Sequence, residues 1–228
     1  MTESNKNLVA GPLGSDGKVS FFHRHSLLLA MAIVALVVIA DQALKIWVKT
    51  HFAWGEDVEI TPWWHLKFIE NNGMAYGMTF FNKLVLSLFR TFAIGAISWY
   101  IWRVVKSGLY SRGYVVCLAM ILAGAAGNLI DCLFYGLVFD ASTPFSVAGF
   151  VPFGTGYSSF LHGKVVDMFY FPIIRTTYPD WMPMVGGDDF VFFSPIFNFA
   201  DSCISVGVAA LLLFFRNDLE RMSLAWKK

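Results

Sequence analysis

Four stretches of this chain stay apolar long enough to cross a bilayer, and each is interrupted by polar residues at a definite place. Ser26 to Ala40 is almost continuously hydrophobic and carries on through Asp41 to about Val48. Leu84 to Trp102 contains a single charge, Arg90. The third stretch runs from Tyr114 to about Phe139 and holds Asn128 and Asp131; the fourth runs from Phe197 to Phe215 and holds Asn198 and Asp201. About 20 residues of helix are needed to cross a hydrocarbon core about 30 Å thick, and a helix satisfies its own backbone groups in lipid. The pattern predicts an all-α membrane protein with four transmembrane helices over 26–48, 84–102, 114–139 and 197–215.

The segments between these helices predict the rest of the architecture. Residues 1–25 are polar and read as a disordered tail; 26–216 form one membrane domain, and 217–228 a basic tail. The two long loops are 49–83 and 140–196. Residues 58–69 mix β-branched and aromatic side chains and then meet Asn71-Asn72-Gly73, a turn signal. The second loop is rich in Gly, Pro, Ser and aromatics, a composition suited to the headgroup level of a membrane. Arg24, the Arg103/Lys106/Arg112 turn and the Arg216–Lys228 tail fall on one side of the predicted helices. The positive-inside rule puts that side, with both termini, in the cytoplasm and both long loops outside.

Composition agrees and narrows the chemistry. The chain is 57% hydrophobic and 14% charged, against about 25% charged for soluble domains. A formal charge of +1 gives no reason to expect a nucleic acid partner. Cys117, Cys132 and Cys203 lie in apolar runs without paired spacing, and the five histidines form no His-Glu-x-x-His pattern. No metal or organic cofactor is expected.

A charge inside a spanning helix costs roughly 2.5–3.5 kcal/mol on insertion scales, so such residues mark function by default. Given the orientation above, Asp41 and Lys45, Arg90, Asp131 and Asp201 all fall near the outer leaflet, with Asp167 just beyond in Val-Val-Asp-Met-Phe. Asp41 and Lys45 are spaced to pair across one helical turn. Asn128/Asp131 and Asn198/Asp201 each share a helix face, and Gly124 and Gly127 permit close helix approach. Asp41/Lys45 suits a structural pair, the asparagines suit interhelical hydrogen bonding, and Arg90 suits a snorkelling cation. Carboxylates converging in one dry site suit a different use, because like charges held close share a proton as in an aspartic protease. On these grounds the partner of Asp201 is either Asp131 or Asp167. A proton-coupled transporter is the rival reading, but its carboxylates would tend to lie near the midplane of inverted repeats.

The blocks Asp41-Gln42-Ala43-Leu44-Lys45, Asn71-Asn72-Gly73, Gly127-Asn128-Leu129-Ile130-Asp131, Val165-Val166-Asp167 and Phe197-Asn198-Phe199-Ala200-Asp201-Ser202 occur in this order. Together they resemble bacterial lipoprotein signal peptidase, signal peptidase II, over about residues 26–216. The resemblance implies an aspartyl endopeptidase of the bacterial inner membrane. Its substrate would be a diacylglyceryl-modified prolipoprotein, cut before the lipidated cysteine. It implies Asp167 and Asp201 as the catalytic dyad, with Asn71, Gly73, Asn128, Asp131 and Asn198 in support. Asp41 and Lys45 would serve structure or substrate positioning, and a small extracytoplasmic β-cradle would cover residues 58–77. A non-catalytic lipoprotein-binding factor on the same fold is the further alternative. The family has Arg where this chain has Cys132, which suggests that Arg90 supplies the missing cation to Asp131. The stretches 132–162 and 170–195 are longer than the family commonly shows.

Overall fold

The computed structural model describes residues 16–72 and 83–225, with side chains over 25–72 and 83–221. Helix α1 (Asp16–His51) leads into a hairpin of β1 (Asp57–Thr61) and β2 (Trp64–Asn71). Helices α2 (Lys83–Ser107) and α3 (Arg112–Ile130) follow; α3 continues through a π-helical turn, Asp131–Tyr135, into a short α4 (Gly136–Val138). Then come β3 (Val165–Tyr170), β4 (Ile174–Thr177), β5 (Asp189–Phe192), β6 (Ile196–Phe197), α5 (Phe199–Phe214) and α6 (Arg216–Ala225).

Three helical spans are long and apolar enough to cross a membrane: His25–His51, Lys83–Ser107 and Arg112–Val138. The fourth predicted span is shorter, because Asn198 caps α5 through its side chain and leaves 16 residues, Phe199–Phe214, or about 24 Å. Helix α1 begins at Asp16, inside the 1–25 segment read as a disordered tail, and residues 1–15 lie outside the described residues. A helix needs apolar side chains only where lipid surrounds it, and its backbone hydrogen bonds run on past that boundary. For the same reason α6 occupies most of the expected basic tail.

Helix α3 is the central post. It buries Tyr114, Val115, Leu118, Ala119 and Ala123 against its neighbours, whereas α1 and α2 leave Leu28, Leu36, Phe89 and Phe92 exposed. Gly124 and Gly127 set how closely α3 approaches α5 and α1. A Cβ at Gly124 would lie 2.3 Å from the Ala200 carbonyl, and one at Gly127 would lie 2.5 Å from Asp41 Oδ2.

The β-structure draws on both long loops, so the fold is mostly helical with a small sheet. Its order is β1-β2-β3-β6, all antiparallel. Only β1 and β2 fall within the 58–77 segment expected to form strands, and residues 73–82, with Gly73, lie outside the described residues. One face of β2 and β3 packs Phe68, Val166 and Met168 against Val48 of α1, Phe52 just past its end, and Tyr135 and Phe139 beyond α3. The longer stretch after Asp131 folds back on the end of α3. Gly163 N donates to Cys132 O, Ser158 N to Gly136 O and Gly154 N to Leu137 O. The longer stretch after Asp167 makes the separate β4–β5 hairpin.

Candidate active site

Asp41, Lys45, Asn128, Asp131, Asn198 and Asp201 enter one connected network where α1, α3, α5 and the sheet meet. Lys45 is its hub. Its Nζ lies 2.9 Å from Asp41 Oδ2 and 2.8 Å from Asp131 Oδ2, and donates to Asn128 Oδ1 at 2.8 Å. Three donors therefore meet three acceptors, with Lys45, Asp41 and Asp131 fully buried. Such burial is tolerable only when the charges are paired and hydrogen-bonded. The two carboxylates also collect backbone donors. Ala200 N, in the first turn of α5, donates to Asp41 Oδ1 at 2.9 Å, and Val166 N donates to Asp131 Oδ2 at 3.3 Å. A carboxylate at the start of a helix is further favoured by the helix dipole.

The cation on Asp131 is thus Lys45, one helical turn from Asp41. Arg90 instead donates from Nη1 to Cys132 Sγ at 3.2 Å. Shared depth in the membrane did not imply a shared helix face. Gln42, quoted from the sequence only as part of a block, proves to be an organising residue. Its Nε2 donates to Asp131 Oδ1 at 2.9 Å and to the Gly127 carbonyl at 3.1 Å, and its Oε1 accepts from the Tyr135 hydroxyl at 3.1 Å. A long amide beside two helical ionic residues was the available signal.

On the other side of Asn128 and Asn198 stand Asp167 and Asp201. Because Asn128 Oδ1 faces Lys45, its Nδ2 is turned the opposite way and donates to Asp201 Oδ1 at 2.8 Å. Asn198 Nδ2 donates to Asn128 Oδ1 at 3.1 Å and to Asp167 Oδ1 at 2.7 Å. Asn198 and Asp201 also form the capping box that starts α5, with Asn198 N donating to Asp201 Oδ2 at 3.2 Å. One asparagine therefore touches both carboxylates, through its side chain and its backbone. The second oxygen of Asp167 accepts from Asn71 Nδ2 at 3.2 Å. The β2–β3 register pairs Ile69 with Asp167 and Asn71 with Val165, which makes Asn71 and Asp167 diagonal neighbours on one face. Next to Asn71, Glu70 is held by the buried Lys49 and by Lys164.

The donors to Asp167 and Asp201 are amides rather than cations. Asp167 is almost fully buried, while Asp201 is half-buried. Burial first, and the neighbouring Asp201 second, push the Asp167 carboxyl up to about 7, against the pull of the Asn71 and Asn198 hydrogen bonds. A protonated acid beside an ionised one at neutral pH can act as acid and base together. Among the described residues there is no group of His, Cys, Asp and Glu suited to a metal.

Comparison with known proteins bears on what such a site is for. The model of the family described as signal peptidase (SPase) II matches residues 33–216. This chain belongs to the signal peptidase II family. A lipoprotein signal peptidase of Porphyromonas gingivalis is 45% identical over 184 residues, covering 81% of each chain. One of Amoebophilus asiaticus is 34% identical over 195 residues, covering 83% of this chain and 78% of the relative. A solved structure described as a bacterial membrane enzyme, obtained by the in meso method at 2.3 Å, superposes with a TM-score of 0.58 at 23% identity. It covers 85% of this chain and 90% of that one, so it supports the fold. Membership makes the chain a membrane protease that removes signal peptides from prolipoproteins.

Proposed function

We propose that this signal peptidase II is an aspartic endopeptidase in which Asp167 and Asp201 form the catalytic dyad. The observation that carries the reading is Asn198, whose single side chain and backbone hold both carboxylates with amide donors alone. Asp201, the more accessible member, takes a proton from water as the water attacks the scissile carbonyl. Asp167, buried and protonated near neutral pH, donates a hydrogen bond to that carbonyl oxygen and stabilises the charge that develops on it. The proton held by Asp201 then passes to the departing amine. No cofactor enters this scheme.

The bond cut is the one before the diacylglyceryl-cysteine of a prolipoprotein, and membrane lipids bring that substrate to the site laterally. Four spans, α5 being the shortest, set both termini in the cytoplasm and the dyad near the outer leaflet of the bacterial inner membrane. The Lys/Arg distribution supports this orientation. Asn71, Asn128 and Asn198 orient the dyad, and Asp41, Lys45 and Asp131 anchor the helices that carry it. Purified Asp201→Asn and Asp167→Asn proteins, incubated with a diacylglyceryl-modified precursor, should bind it and leave it uncut. Wild-type cleavage by either variant would remove that aspartate from the mechanism.

A further inference from the structure

An apolar groove of about 500 Å³ opens between α1 and α2 over the surface of α3. It is walled by Leu27, Val34 and Ile39 of α1, Ile101 and Trp102 of α2 and Leu122 of α3, with Ser98 as a polar exception. On α1 it ends at Ile39, and none of Asp41, Lys45, Asp167 and Asp201 lines it, so it is not part of the peptidase site.

Three observations decide what fits it. The first is length. Leu27 to Ile39 rises about 18 Å, close to half of a hydrocarbon core about 30 Å thick. The groove therefore covers roughly one leaflet. The second is width. A peptide helix is about 10–12 Å across with its side chains, and 12 residues of it would need far more than 500 Å³. A single extended hydrocarbon chain does not. The third is polarity at one end. Trp102 lines the groove beneath Lys106, whose Nζ stands 4.9 Å from the ring centre, and Arg103 covers the neighbouring Trp99 in the same way at 5.2 Å. Cations and tryptophans at the foot of a leaflet-long apolar channel match a phosphate-bearing headgroup with its acyl chain above it.

We infer that the α1–α2 groove is a binding site for an anionic glycerophospholipid of the leaflet opposite the active site. One acyl chain lies between α1 and α2, and the phosphate lies by Lys106 and Arg103. Its occupant wedges apart the two helices that leave most of their surface exposed, and it braces the helix that carries Asp41 and Lys45.

The test uses the full chain in mild detergent, titrated with phosphatidylglycerol or phosphatidylcholine of equal chain length. Native mass spectrometry counts bound lipid, and thermal unfolding reports its effect. Wild-type protein should retain one phosphatidylglycerol in preference to phosphatidylcholine and melt higher with it. Ala35→Phe, which fills the groove from an exposed position, should lose that retained lipid. The exposed pair Arg103→Gln/Lys106→Gln should keep a bound lipid but lose roughly fivefold in preference per cation removed, and both variants should still cut precursor. Equal retention of the two lipids by wild-type protein would overturn the inference, as would an unchanged preference in the double variant. Displacement of the lipid by a signal peptide, or a dimer that forms through this face, would overturn it too.

Discussion

Two pairs of aspartates sit back to back in this protein, separated only by the side chains of Asn128 and Asn198. Asp41 and Asp131 share a buried lysine and backbone donors. Asp167 and Asp201 are held by asparagines and receive no lysine or arginine in the contacts described above. The residues are the same and they stand close together, but the first pair shares a lysine counter-ion and the second is held by amides. Two carboxylates that face each other in a dry site share a proton. Asn128 divides the two environments, because Lys45 claims its oxygen and leaves only its N–H groups for Asp201.

Changes on either side of that divide should fail differently. Asp→Asn at 167 or 201 should cut cleavage of a lipidated precursor by about 10²–10⁴-fold with the protein still folded; initial rates beside a melting curve check both. Lys45→Met should do the reverse and strike stability first, by about 3–5 kcal/mol, because two buried carboxylates lose their counter-ion. A Lys45→Met protein that melts like wild type would end the distinction.

The dyad should also be visible in pH. In the proposed mechanism the proton on Asp167 is required, so kcat/KM should fall as pH rises through about 7. Stability follows the same sign. The folded pKa is raised above the unfolded value of about 4, so the folded state binds the extra proton. Stability present below pH about 4 is therefore lost progressively as pH rises toward 7. The melting temperature of Asp167→Asn relative to wild type should climb between pH 5 and pH 8; a flat difference would show that Asp167 has an ordinary pKa. Asn71→Ala removes a hydrogen bond to the ionised form of Asp167. It should reduce cleavage about tenfold or more and move the alkaline limb upward. Arg90→Ala should cost less stability than Lys45→Met in the same melting curves, because Asp131 is served by Lys45; an equal loss would return Asp131 to Arg90.

The sequence made much of this arrangement legible. Helical spacing put Asp41 with Lys45, Asn128 with Asp131 and Asn198 with Asp201, and hydropathy placed all of them at one depth. It could not give azimuth, so it assigns Lys45 to Asp41 and Arg90 to Asp131, whereas Lys45 serves both carboxylates. Nor could it give the contact between Asn71 and Asp167. Those residues are 96 positions apart, and they meet through a strand register that no local pattern encodes. Aspartate 167 was singled out by resemblance to a family, not by periodicity. The π-helical turn after Asp131 and the N-terminal extension of α1 left no hydrophobic signature at all.

The shortness of α5 has a consequence for the surrounding lipid. Its 16 residues span about 24 Å, some 6 Å less than a typical hydrocarbon core. In the proposed orientation, with its amide-capped end at the dyad, a bilayer that meets α5 has to dip toward it, bringing headgroups and water down to the level of Asp201. Hydrophobic mismatch of this kind costs fractions of a kcal/mol per ångström. In that orientation the enzyme would be matched to a membrane that thins locally, and the depression that admits water would also lower a lipid-anchored cleavage site to the depth of the carboxylates.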